Sequence, residues 1–411
     1  MPENAVNSDM ASASPPSALL TRYIVHNADY AWETIAATEG QLADHQINMA
    51  LQALDFALLS KSTWSQARKL LLALAPFMEQ QGYYALWQRF LELGIAFSKE
   101  MEDQETEMNL RYHLGLLWQY RAHYQEAITQ HEIALTLAQQ LDSLIWQARL
   151  YSRLASHWRH LRQWDQAESM LAQAQARLLP DDAEDLGYFS LIRGAIYLDK
   201  RSWQQAYEWF QKSLSWWQKS GKKQQIAKAL ANLGLVARRL HLIPEAESHL
   251  RQAIQIFDEL GEMRLSAMAS MNLGALLADY GRAPEGLTYL RRAEKFFRQT
   301  QDPMRLAMTT TNMGRAYYDM EAWEDAIRAL QRGRELWEEV GNLPRVLNVL
   351  AGLAAAYARF GEIAQARTIT QQGRNLLHEI NNEEERNFLQ DAFAEVEKIT
   401  LLAQKENRDR H

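Results

Sequence analysis

Asn232, Asn272 and Asn312 stand 40 residues apart, each inside a stretch of helix-forming residues. Asparagine is a mediocre helix former, so its recurrence there asks for a use. Its side-chain amide carries both a donor and an acceptor, and it can pair with the backbone of an extended peptide whatever that peptide's sequence. The other use is internal: amides inherited with a repeat, solvated or bonded to the next helix. A second set is basic. Arg149, Arg153, Arg159, His160, Lys228, Arg238 and Arg239 belong to a chain of net charge −7, and a guanidinium matches carboxylate or phosphate with two parallel hydrogen bonds. These residues are expected to converge in the middle of a groove and to favour a partner with acidic side chains, a C-terminal carboxylate or a phosphorylated residue. The alternative is a solvated charged face compensated by Asp199 and Asp279. Arg315 and Tyr318, with Met268, Met271 and Met308, extend the set into a softer section suited to a hydrophobic anchor.

Catalytic signatures are missing from the sequence. There is no Gly-rich phosphate loop ending in Lys-Ser/Thr, no Gly-x-Gly-x-x-Gly, no His-Glu-x-x-His and no Gly-x-Ser-x-Gly. Gly221-Lys222-Lys223 lacks the upstream glycine that a phosphate loop needs. His157 and His160 lie about one helical turn apart, but no third ligand is in view. The expectation is therefore no catalysis, no metal and no cofactor. Glu383-Glu384-Glu385 reads as a helix start favoured by the helix dipole. The chain has no cysteine, which excludes disulfides and thiolate metal sites and makes a reducing cytoplasm the simplest home. No run of 18 apolar residues exists, so no membrane partner is expected. The negative charge argues against nucleic acid. Met1 to Ser17 has two acids, no base and no apolar core, so it reads as a flexible tail and not a secretion signal.

The elements that must position these side chains come from a repeat. Gly115, Ala155, Gly194, Gly234, Gly274, Gly314 and Ala354 are separated by 40 residues, once by 39. Twelve residues after each comes Ala127, Ala167, Ala206, Ala246, Gly286, Ala326 or Ala366, and seven further on another small residue. Around Gly234, Leu230, Leu233 and Val236 fall on helical spacing. Ala246, Leu250, Ala253, Ile254 and Phe257 do so again after a break. Each unit is thus a helical hairpin, with small residues where the two axes cross. Asp142, Gly221, Gly261, Asp302, Gly341 and Asn381 are expected to end successive second helices. Tyr84, Tyr124, Trp164, Trp203 and Trp323 mark the turn inside each hairpin, where a hydrophobic plug is expected. Units of this length stack into a solenoid and bury a shared core.

This 40-residue register, with Ala-x-x-Asn-Leu-Gly at 229–234 and Tyr317 three after Gly314, resembles the tetratricopeptide repeat. The form is the long-looped one of kinesin light chains and of the helical arms of signalling ATPases. The resemblance covers about residues 68 to 380. It implies an all-α, right-handed α-α superhelix of about eight hairpins, and it carries peptide-backbone capture to Asn232, Asn272 and Asn312. The stretch Gln81-Gly82-Tyr83-Tyr84-Ala85-Leu86-Trp87 resembles the point where the arm begins after the nucleotide-binding core in bacterial STAND-type ATPases. Arg193 in place of Leu, and Gly286 and Gly333 in place of Ala, depart from the pattern and are expected to loosen their copies.

The expected organisation is a tail at 1–17, an N-terminal helical cap at 18–62, a solenoid at 63–382, a capping helix at 383–404 and a tail at 405–411. Helical stripes through Leu19, Leu20, Tyr23 and Ile24, then Ile47, Leu51, Leu54 and Leu58, are expected to face inward at one end. Phe388, Phe393, Val396 and Ile399 are expected to do so at the other. On each leading helix, four positions opposite the core stripe are expected to line the concave surface. In the repeat of Gly234 they are Lys228, Asn232, Leu235 and Arg239. Such a surface predicts a scaffold for another protein or peptide. The alternatives are a sensor that takes a small molecule or signalling peptide, and the arm of a STAND-type ATPase. Oligomeric state leaves no mark on the sequence.

Overall fold

The computed structural model describes residues 17–38, 42–81 and 84–409. The expected N-terminal tail thus lies outside the described residues except for Ser17, as do Gly82, Tyr83 and the last two residues. Among the described residues the regular elements are all helical, and the chain divides into two compact units, 1–196 and 197–411. The first holds α1 (Ala18–Ala36), α2 (Asp44–Ala57), α3 (Trp64–Gln81), α4 (Tyr84–Glu100), α5 (Gln104–Tyr120), α6 (Tyr124–Gln140), α7 (Leu144–His160) and α8 (Trp164–Gln175). The division falls within α9 (Ala183–Asp199). The second unit holds α10 (Trp203–Ser220), α11 (Lys223–Arg239), α12 (Ile243–Glu259), α13 (Met263–Asp279), α14 (Ala283–Gln299), α15 (Pro303–Asp319), α16 (Trp323–Val340), α17 (Leu343–Phe360), α18 (Ile363–Leu376) and α19 (Glu383–Asp409). Each unit is an array of antiparallel hairpins, in which a helix packs on its predecessor and its successor.

The small residues sit where the axes cross. Ala127, Ala167, Ala206, Ala246, Ala326 and Ala366 have no exposed surface. The glycines at departures from the repeat tighten the packing, contrary to the expectation. A Cβ on Gly286 would lie 2.5 Å from the carbonyl oxygen of Gly274, so this pair of helices touches backbone to backbone. Gly333 leaves room for Thr311, whose hydroxyl donates to the Ala307 carbonyl at 2.8 Å and accepts from Trp337 Nε1 at 3.1 Å. Arg193 lies over the ring of Phe189 and donates to Gln175 at 3.0 Å.

Turns recur about every 20 residues, and nearly all place one residue at positive φ. Asp142, Gly221, Gly261 and Gly341 take that conformation as expected. At the stop expected at Asp302, Gln301 takes it instead, at 51°, and Asp302 caps α15 by accepting from the Arg305 amide at 3.1 Å. At the last, Asn382 rather than Asn381 accepts from the Glu385 amide at the start of α19, at 2.9 Å. The regular rhythm breaks at 176–182, where α8 ends early. Pro180 disfavours helix at the residue before it, and Asp182 caps α9.

The terminal helices rotate from the expected phase. In α1 the buried stripe is Ile24, Ala28, Ala31 and Ile35, whereas Leu19, Leu20 and Tyr23 are exposed. In α19 Leu389 is buried in place of Phe388, with Phe393, Val396, Thr400 and Ala403 completing the stripe. This helix runs on to Asp409, past the expected end at Gln404, where Lys405, Glu406 and Arg408 are good helix formers. The stripe of α2 through Ile47, Leu51, Leu54 and Leu58 is buried as expected.

Candidate functional site

The expected concave stripe contains positions of unequal character. Its first and last positions are open to different degrees. Arg149, Lys228, Met268 and Met308 are half-buried, while Tyr120, His160, Asp199, Arg239, Asp279, Asp319 and Arg359 are exposed. The third position is covered at Leu116, Ser156, Ala275 and Ala355; in the second unit leading helices also meet one another, as α11 meets α13 and α13 meets α15. Ile192 is likewise buried.

In the second unit, Asn232, Asn272 and Asn312 are all half-buried on α11, α13 and α15. None of the three side-chain amides forms a hydrogen bond within the described residues. Their donors and acceptors stay open to solvent or a ligand. Around them the charges are mostly paired. Asp279 accepts from Arg238 and, at 3.0 Å, from Arg315, so one carboxylate of α13 ties together α11 and α15. The compensated charged face is thus the arrangement found at these two arginines. Lys228 donates to Gln224 at 3.2 Å. Arg239 lies 5.8 Å from the ring centre of Trp203, and desolvation, followed by the like charges of Arg238, Arg201 and Arg345, lowers its pKa. Burial raises the Asp319 carboxyl. Tyr318 meets Trp323 edge-on at 5.1 Å, and Met271 is buried.

In the first unit, Arg149 and Arg153 lie one turn apart on α7. Arg149 makes a two-pronged bond to Asp185, with Nε–Oδ1 at 3.0 Å and Nη2–Oδ2 at 3.1 Å, and covers the Trp146 ring at 4.8 Å. Burial, opposed by that bond, raises the Asp185 carboxyl. Beside the pair is a shallow depression of about 610 Å³, lined by Arg149 and the loop from Leu179 to Glu184. Arg153 lies between two tyrosines, 3.9 Å from the ring centre of Tyr188 and 5.5 Å from that of Tyr112, and donates to the Tyr112 hydroxyl at 2.8 Å. Arg159 contacts His160 Nε2 at 3.0 Å, and His160 stacks on Tyr124 at 4.5 Å.

His157 does not share a metal with His160. It is buried, and its Nε2 lies 2.9 Å from Nδ1 of His131, whose Nε2 in turn lies 3.0 Å from the Tyr112 carbonyl. Desolvation lowers both imidazoles, His131 to about 3. Among the described residues no group of three or more His, Cys, Asp or Glu could hold a metal ion, and no helix is long and apolar enough to cross a membrane.

The basic residues fall in two places: Arg149, Arg153, Arg159 and His160 in the first unit, Lys228, Arg238 and Arg239 in the second. The sequence reading missed Tyr112, His131, Trp146 and Asp185 as members of the site. The one usable signal was the 39-residue spacing before Gly194, which marks the irregular turn that brings Asp185 to Arg149. The aromatic residues at the hairpin turns are half-buried and reach the rim. Tyr84 stacks on Tyr120 at 6.4 Å, Tyr124 on His160, and Trp203 carries Arg239. Each partner is 36 residues on, at the exposed end of the next leading helix. Within each unit these rings therefore meet the exposed ends of leading helices as well as marking the turn.

The tetratricopeptide-repeat family model matches residues 189–259 and 305–377. No curated protein sequence matches the chain. Among solved structures it is similar to a STAND signal-transduction ATPase with a tetratricopeptide repeat sensor from Pyrococcus horikoshii. The identity is 13% and the TM-score 0.66, over 91% of this chain and 55% of that one, so the chain spans about half the length of that protein. It is also similar to the apo quorum sensor NprR from B. thuringiensis, at 17% identity and a TM-score of 0.56, over 77% of this chain and 87% of that one. A third is a Rap protein complexed with Competence and Sporulation Factor, at 15% identity and a TM-score of 0.52, over 84% of this chain and 90% of that one. At these identities the likeness is one of fold.

Proposed function

This chain is a tetratricopeptide-repeat protein of the all-α superhelical class, and from that premise we propose that it is a non-catalytic adaptor holding a peptide segment of another protein against its leading helices. One observation carries the reading. Asn232, Asn272 and Asn312 repeat at 40 residues, half-buried, with no side-chain hydrogen bond among the described residues. A half-buried amide that bonds to nothing internal has its donor and acceptor free for a peptide backbone. Arg239, lying over the Trp203 ring in the same unit, adds a cationic and aromatic contact suited to a segment that bears acidic groups. The solved Rap protein that shares the fold holds Competence and Sporulation Factor, which supports recognition of a separate molecule by such a fold.

The test compares wild type with Asn232→Ala/Asn272→Ala. Partners captured from the native cell are quantified by mass spectrometry, and helicity is read by circular dichroism. With each lost amide contact contributing about 0.5–1.5 kcal/mol, retention of the specific partner should fall by about tenfold at unchanged helicity. Equal capture by both proteins would remove the reading.

A second reading is favoured by the two fold neighbours that are described as sensors. Here the same face takes a small molecule or signalling peptide, and the chain serves as a regulatory arm, including that of a STAND-type ATPase. Thermal-shift screening with metabolites distinguishes it, because a saturable metabolite response without a captured protein selects the sensor.

A further inference from the structure

Arg149 and Arg153 form an internal comparison. Both project from α7, one turn apart, and both lie against aromatic rings. Arg149 has a carboxylate, Asp185, bonded through two nitrogens. Arg153 has no carboxylate partner within the described residues, and its only hydrogen bond is to the neutral hydroxyl of Tyr112. A guanidinium carries five N–H donors, so four are unused here. One of these, Nε, is buried and has no partner. The hydroxyl of Tyr188, whose ring lies over this guanidinium, is also buried without a partner. Helix α7 itself, from Leu144 to His160, contains no Asp or Glu.

Placing a cation in a site of reduced water access is costly unless an opposite charge meets it. Cation–π contact with Tyr112 and Tyr188 offsets part of that cost but leaves the charge itself unneutralised. The neighbouring imidazoles do not add to it. A neutral His131 that donates from Nε2 to the Tyr112 carbonyl presents a lone pair at Nδ1, which receives the proton of His157 Nε2. The two rings therefore stand neutral behind Arg153.

We infer that Arg153, flanked by Tyr112 and Tyr188, is the binding site for a single oxyanion, a carboxylate or phosphoryl group carried by the ligand. The group completes at Arg153 what Asp185 supplies at Arg149. Planar, bidentate oxygens suit the guanidinium fork, and the two rings fix the plane in which they must approach. The site lies wholly within the first unit and goes beyond the proposed peptide reading by naming a charged group that a ligand carries. It rests on that reading only in taking the leading-helix face as the ligand face, because binding of a free anion needs no asparagine.

The experiment adds inorganic phosphate or glutarate to the full chain. Sodium chloride at matched ionic strength is the control, with melting temperature and calorimetric heat as readouts. Wild type and Asn232→Ala/Asn272→Ala should bind at least one of the two anions saturably, and Arg153→Gln at least tenfold more weakly. Preference between the two probes tells carboxylate from phosphoryl. In case Arg153→Gln does not fold, the Nε–H NMR resonance of Arg153 in the wild type is followed as well, assigned by its loss in Arg153→Lys. It should move with the anion and not with chloride. An unmoved resonance, or equal binding by a folded Arg153→Gln, overturns the site. Anion binding retained by the asparagine variant that has lost its captured partner separates this inference from the peptide reading.

Discussion

Nε2 of His157 lies 2.9 Å from Nδ1 of His131, with both rings buried in the first unit. The His131 ring fills the space over Gly115, where a Cβ would lie 2.2 Å from its Nε2. A histidine in this place serves as a core side chain whose polar atoms are largely satisfied by a partner histidine and a carbonyl.

The pair makes stability depend on pH. In the unfolded chain an imidazole takes its proton near 6.5, whereas folded His131 resists it down to about 3 and His157 is also lowered. Desolvation is the main cause, and the charge of Arg153 adds to it at both rings. Protons thus favour the unfolded state below 6.5. Stability should be full above that value and fall as the pH drops toward 3, by about 1.4 kcal/mol per pH unit for each imidazole. Urea titrations from pH 7.5 to 5 measure it, and His131→Asn/His157→Gln should show a shallower slope.

The closest helix crossing should tolerate no methyl group. Gly286→Ala places Cβ 2.5 Å from the Gly274 oxygen, and backbone cannot move aside cheaply. A loss of about 1–3 kcal/mol is expected, despite alanine's better helix propensity. At Gly352 the nearest atoms are Leu330 side-chain carbons at 3.8 Å, so Gly352→Ala should gain about 0.5–1 kcal/mol. Opposite signs in denaturant midpoints check the pair.

Replacing the asparagines should not weaken the fold. Asn232→Ala and Asn272→Ala break no internal bond and improve helix propensity by up to about 0.7 kcal/mol each. The melting temperature should hold or rise. A drop equivalent to more than about 1 kcal/mol would assign the amides a structural task.

Phe393 is the largest member of the buried stripe of the last helix. It is fully buried, and a Cβ on Gly373 would lie 2.0 Å from its Cζ. Phe393→Ala should cost about 3–5 kcal/mol, with the loss first visible as faster amide exchange in α18 and α19.

The repeat made the hairpins legible. Leu230, Leu233, Leu250 and Phe257 are buried as their spacing predicts, and the alanines fall at the crossings. Glycine at 286 was misread because sequence reports its helix propensity but not the proximity of another backbone. The end helices were misread in phase because both α1 and α19 carry more apolar residues than they bury: Leu19 and Phe388 are 80% and 65% exposed.

By itself the sequence determined the all-α hairpin array and the common phase of the three asparagines, because helical geometry is local and a 40-residue period repeats it faithfully. Tertiary structure decided which cations are neutralised. Asp279 reaches Arg238 and Arg315, and Asp185 reaches Arg149, across 36 to 41 residues of chain, while Arg153 lies between two tyrosines with no carboxylate bonded to it among the described residues. Ion pairing depends on where long side chains from neighbouring repeats end, and the repeat period constrains their backbones but not their tips.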